Sequence, residues 1–134
     1  MGSPKAVRVL DGGESCPALP MVDGEGVARA VIWPGVGAQL RSMHRIRLAP
    51  GARTIPLRHA MEAVYYVMSG AGTVLDPQDP PSRPLVEGAM VHVEPGTTYL
   101  LEGGLDGIEI LGGPCPADPA LYAGLIPSRQ DTPI

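Results

Sequence analysis

The chain has 134 residues, of which 44% are apolar and 18% charged, with 18 glycines and 16 prolines. That length fits one domain able to bury a core without disulfides, and the apolar content is too high for a disordered chain. Helix breakers at this frequency nearly exclude an all-helical fold, and a net charge of −4 gives no basic footprint for nucleic acid or an anionic membrane.

Taken in chain order, residues 27–33 form the first candidate strand. Residues 39–48 then alternate, with Leu40, Ser42, His44, Ile46 and Leu48 on one face and Arg41, Met43, Arg45 and Arg47 on the other. A period of two is the mark of a half-buried strand. Residues 63–68, 72–75, 90–93, 97–101 and 107–111 are further short strands, each bounded by Gly, Pro or Asp. Their regular spacing predicts a sandwich or barrel, an all-β fold. Between them, residues 76–84 carry four prolines and read as a surface loop. One helix is signalled, with Asp118 as N-cap, Pro119 in first position and Gly124 closing about two turns. Residues 1–126 are taken as the single domain and 127–134 as a flexible tail.

No apolar run approaches a membrane span, and the opening Met1-Gly2-Ser3-Pro4 does not begin a signal peptide, so the expected location is cytoplasmic. Cys16 and Cys115, each before a proline, match no zinc or redox spacing. They are read as free thiols, with pairing left open if the ends of the chain meet.

Two stretches carry a resemblance. From Gly51, five residues lead to Leu57-Arg58-His59, three more to Ala63, and six more to Gly70. From Gly88, five residues lead to Glu94-Pro95-Gly96 and two more to Tyr99. In glycines and spacing these resemble the paired motifs of the cupin superfamily, motif 1 at 51–70 and motif 2 at 88–99. The resemblance implies a small antiparallel double-stranded β-helix, a jelly-roll barrel with the N-terminal residues as flanking strand and the short C-terminal helix packed outside. It also implies a homodimer, and a mouth that holds a metal and a small molecule. Of the family's metal-ligand positions, His59 keeps its residue type, whereas the others hold Leu57, Ala63 and Tyr99, with Glu62 one residue before the glutamate position. No cofactor is therefore expected, with a divalent transition metal as the alternative. Any such metal would draw on His59, His44 and Tyr99.

If His59 points into the barrel, as the resemblance implies, strand parity turns Leu57 the same way, and Ala63, Tyr65 and Val67 share a face. His44 joins them because its face is otherwise apolar. His59 and Tyr99 are the candidate catalytic pair, with His44, Tyr65 and Glu62 as candidate ligand contacts. His92, between two valines, is expected to point outward, and Arg58 to lie on the surface. An apolar cup with a few convergent polar groups suits a small-molecule ligand. In the first of three readings His59 is a general acid or base and Tyr99 a donor to a developing oxyanion, for isomerase, lyase or cyclase chemistry on a small polar metabolite. The second is a non-catalytic metabolite-binding module. The third is a metal-dependent dioxygenase-type cupin.

Overall fold

In the computed structural model, which describes residues 6–78 and 81–125, the elements are β1 (Ala18–Leu19), β2 (Val22–Asp23), β3 (Gly26–Ile32), β4 (Met43–Leu48), β5 (Arg53–Thr54), β6 (Glu62–Leu75), β7 (Arg83–Val86), β8 (Met90–Val93) and β9 (Leu100–Cys115). Every pairing is antiparallel. One run of paired strands is β1-β3-β4, the second half of β9, the first half of β6, and β8. The other is β2-β5, the first half of β9, the second half of β6, and β7.

The two long strands thus belong to both runs and turn the corner between them. The register between β6 and β9 shifts at Val67/Ser69 and again at Gly70/Gly72, which is where the sheet bends. Gly70 has φ +80°, and a Cβ there would run into the Gly107 carbonyl oxygen, so the corner requires a residue without a side chain. Of the glycines that carry the family spacing, Gly70 therefore has a mechanical role in closing the double-stranded β-helix.

Alternation fills the interior. Ala28 and Ala30 of β3, Ile46 and Leu48 of β4, Tyr65 and Val67 of β6, and Ile108 and Ile110 of β9 are buried together with Leu57, Tyr99 and Leu101. Burying one such aliphatic side chain is worth about 1.5–3 kcal/mol, so this layer dominates the stability of the barrel.

Several expected boundaries move. Strand β4 begins at Met43, and Leu40 lies outside it with 72% of its surface exposed, so it does not share the buried face of Ser42, His44 and Ile46. The expected strands at 63–68 and 72–75 are one strand, β6; that at 107–111 lies within β9, and of that at 97–101 only Leu100 and Leu101 do. Glycine at a barrel corner reads locally as a break, whereas the chain bends there and stays paired. Of the expected proline-rich loop, Arg83 and Pro84 enter β7, which pairs with β6 alone; a proline lacking its N–H is tolerated on such an edge strand.

The expected flanking strand at the N-terminus is reduced to the two-residue β1 and β2. The C-terminal helix is a single 3₁₀ turn, Pro119–Tyr122, and not two α-turns. Asp118 does cap it, but Tyr122 is buried, so the turn is not packed outside the barrel as an independent helix. The expected tail at 127–134 lies outside the described residues. Cys16 and Cys115 are free thiols. Among the described residues no helix is long and apolar enough to cross a membrane.

Candidate functional site

His59 and Tyr99 are brought together by backbone pairing. Leu57 N–H donates to the Tyr99 carbonyl at 2.7 Å and Tyr99 N–H to the Leu57 carbonyl at 2.9 Å, while Gly96 N–H donates to the His59 carbonyl at 2.7 Å. This short bridge fixes the two segments side by side ahead of β6 and β9. His59 then stands two residues along from Leu57 on the interior face, and its ring meets that of Tyr99 edge-on at a centroid distance of 5.5 Å.

The side chains form a continuous chain of hydrogen bonds. Asp118 Oδ2 lies 2.6 Å from His59 Nδ1, His59 Nε2 lies 2.7 Å from the Tyr99 hydroxyl, and the Tyr99 and Tyr65 hydroxyls are 2.6 Å apart. A carboxylate only accepts, so Nδ1–H donates to Asp118 and, with the imidazole neutral, Nε2 accepts from the Tyr99 O–H. The Tyr65 O–H then donates to the Tyr99 oxygen. The His59 side chain is 2% exposed and that of Asp118 14%, so the carboxylate is the end of the relay nearer water. Its other oxygen accepts from Ala120 N–H at 3.1 Å, which anchors it on the 3₁₀ turn.

A second cluster lies beside the first. His44 Nε2 is 2.6 Å from the Tyr122 hydroxyl, and Trp33 packs on the Tyr122 ring at 5.0 Å. Ser42, also beside the Tyr122 phenol, donates to the Pro114 carbonyl. His44 Nδ1 is buried and has no partner among the described residues. Bare Nδ1 costs least as an unprotonated acceptor, which assigns the His44 proton to Nε2.

Burial, with His59 as a lesser contributor, pulls the His44 pKa down to about 4. Burial raises Tyr65 to about 12, and it holds Tyr99 and Tyr122 above the ordinary phenol range, Tyr99 further raised by Tyr65. All three phenols therefore remain protonated donors at neutral pH, and His44 remains neutral.

The candidates sort clearly. His59, Tyr99 and Tyr65 share one network, and His44 lies in the adjacent cluster. Glu62 does not join them: it is on the outer face of β6, where it pairs with His92 at 2.7 Å, both side chains more than half exposed. Parity explains this, because Ala63 takes the inward position beside it. His92 points outward and Arg58 is exposed, as expected.

Asp118 and Tyr122 were not among the sequence candidates. Asp118 carried a sufficient local explanation as an N-cap, yet capping uses one of its two oxygens. Tyr122, an aromatic among small residues in a turn bordered by prolines, was the available sign that the turn reaches inward.

These residues do not fit a metal centre. Leu57 and Ala63 have no donor atom, and both His59 nitrogens are engaged within the relay. Among the described residues no group of three His, Cys, Asp or Glu is gathered as a cation would require.

A cleft of about 460 Å³ adjoins the relay. Its lining includes Val74, Arg83, Val91, Val93 and Thr97, and Tyr99 forms part of its wall. That size and mix of apolar and polar groups lie in the range of small-molecule sites.

No protein-family model matches the sequence, and no curated protein matches it. Solved structures do. A predicted oxalate decarboxylase from Thermotoga maritima superposes with a TM-score of 0.63 at 20% identity, covering 78% of this chain and 96% of the other. A cupin-like protein from the same organism gives 0.62 at 19% identity, covering 81% and 79%. The chain folds as a cupin. The polyketide cyclase RemF from Streptomyces resistomycificus gives a TM-score of 0.63 at 16% identity, covering 94% and 89%. At such identities the likeness concerns the cupin barrel alone.

His44 makes the cupin barrel acid-sensitive. Its pKa is lower folded than unfolded, so the unfolded chain binds the proton first, and stability present above about pH 6.5 is lost as pH falls toward 4. The loss is on the order of 3 kcal/mol at most. Thermal unfolding from pH 7.5 to 4 should show this slope in the wild type and a flatter one in His44→Gln.

Proposed function

We propose that the protein is a small-molecule enzyme that moves a proton, of isomerase, lyase or cyclase type, on a small polar metabolite bound in the cleft beside Tyr99. The observation that carries this reading is the Asp118–His59–Tyr99 relay, because its terminal hydroxyl belongs to a residue of the cleft wall.

In the forward direction a proton leaves the substrate for the Tyr99 oxygen as the Tyr99 proton passes to His59 Nε2. No phenolate accumulates, consistent with a phenol held above its ordinary range by burial. The imidazolium formed is held by Asp118, which also keeps the ring in the tautomer with a bare Nε2. Reversal returns the proton to a different substrate atom, which is an isomerisation, or to a leaving group, which is an elimination. Tyr65 keeps the Tyr99 hydroxyl oriented. Arg83, Thr97, His92 and the carboxylates of Asp76 and Glu94 supply polar contacts for a substrate between the apolar side chains of the cleft. The dioxygenase reading lacks a donor set among the described residues.

The test is a thermal-shift screen of small metabolites, followed by product analysis of each hit. His59→Ala should lower turnover by about two to four orders of magnitude, the usual range for a positioned acid or base. Tyr99→Phe should reduce rate more than affinity. If every binder is recovered unchanged, the non-catalytic binding module is the better account.

We further propose that two copies pair through the outer face of β6 and β8. Support comes from Val64, Tyr66 and Met90, all exposed, with Met90 directly opposite Tyr66. A contiguous apolar sheet face is a common association surface, and its Glu62–His92 border is self-complementary across a two-fold axis. Light scattering should give a dimer for the wild type and a monomer for Tyr66→Glu; a monomeric wild type at micromolar concentration contradicts the pairing.

A further inference from the structure

The outer face of β3 and β4 carries a feature that the barrel interior does not use. Arg29 stands directly opposite Arg45 in the sheet, and Arg47 follows two residues after Arg45 on the same face. Like charges directly opposite one another disfavour strand pairing. The chain as a whole is acidic, at −4, so the local excess of guanidinium groups runs against its overall balance.

These three arginines line a groove of about 230 Å³, bordered by Gly12, Gly13 and Glu14. The two glycines put no side chain over the guanidinium groups. Arg29 Nη1 donates to the Cys16 carbonyl at 2.8 Å and to the Glu14 carbonyl at 3.3 Å. These contacts hold its fork in place without neutralising it, and among the described residues no carboxylate pairs with it. Arg45 is paired through Nε with Glu109 and reaches the Gly12 carbonyl at 3.4 Å through Nη1. Arg47 is 3.6 Å from the same Glu109 carboxylate. Counting Glu14 on the groove's border, three cations meet two carboxylates among the described residues, where most of the guanidinium N–H groups have no protein acceptor.

We propose that this groove binds a tetrahedral oxyanion, either inorganic phosphate or the phosphoryl group of a small phosphate ester, at a site separate from the barrel interior. The guanidinium groups of Arg29, Arg45 and Arg47 approach from two strands, which matches the several oxygens of a phosphate dianion, whereas a lone carboxylate can be satisfied by a single fork. The volume lies below the range usual for drug-sized ligands, which limits the carrier to a small one. An anion here relieves the opposition of Arg29 and Arg45, so binding stabilises the fold.

Titration calorimetry with inorganic phosphate and with glycerol phosphate, in buffers matched in ionic strength with chloride, tests the site. Expected is one site per chain of submillimolar affinity, weakened about tenfold or more by Arg29→Gln and by Arg47→Gln. Arg47 is the most exposed of the three, and Glu109 keeps its contact with Arg45 when Arg47 is changed, so its variant reports binding even if Arg29→Gln fails to fold. Tighter binding of the ester than of phosphate assigns the site to a phosphorylated metabolite, and equal binding assigns it to the free ion. Absence of binding at 10-fold excess over a millimolar constant, or binding unchanged in Arg47→Gln, overturns the proposal.

Discussion

A phenol or imidazole withdrawn from water must find a partner inside the protein, and the interior of this barrel is organised by that requirement. An unsatisfied buried donor or acceptor costs about 1–3 kcal/mol. Tyr65, Tyr99 and His59 are all nearly inaccessible, and each meets the requirement through the next. The series ends only when Asp118, 59 residues further along the chain, supplies a carboxylate. The same turn brings Tyr122 to His44 across a separation of 78 residues. The C-terminal segment therefore completes the interior that the strands begin, and the site does not exist without it.

In the metal-binding pattern that the motif spacing resembles, imidazoles and a carboxylate surround an ion. Here two of those positions are apolar, and a third holds a phenol. The polar atoms that remain neutralise one another by hydrogen bonding. The consequence is a continuous hydrogen-bonded chain in a low-dielectric interior, where each bond is stronger than in water and the phenols stay protonated. Neutral His44 fits the same picture, since burial disfavours a positive charge on its ring.

Much of this was legible in the sequence for a physical reason. The period-two pattern of Ser42, His44, Ile46 and Leu48 and of Ala63, Tyr65 and Val67 reports directly which side chains face inward, and the glycines at 51, 70, 88 and 96 mark turns and corners that geometry allows little else to occupy. Tyr65 followed from parity, and His59 and Tyr99 from the motif positions that they occupy. What the pattern could not carry is long-range placement. Asp118 looked complete as a cap, and nothing local reveals that its second oxygen meets a histidine. Glu62 sat one residue from a ligand position, and in a strand one residue is the opposite face. Leu40 continued the alternation of β4 by composition, yet the paired strand had not begun.

The account rests on the assignment of the His59 proton. Long-range ¹H–¹⁵N correlation spectra of the histidine ring nitrogens at neutral pH measure it directly. With the imidazole neutral, the account predicts a proton on Nδ1, a bare Nε2 accepting from Tyr99, and loss of that preference in Asp118→Asn. A His59 ring protonated at Nε2 with Nδ1 bare would contradict it, because Tyr99 would then receive a proton from the imidazole and could not deliver one to it.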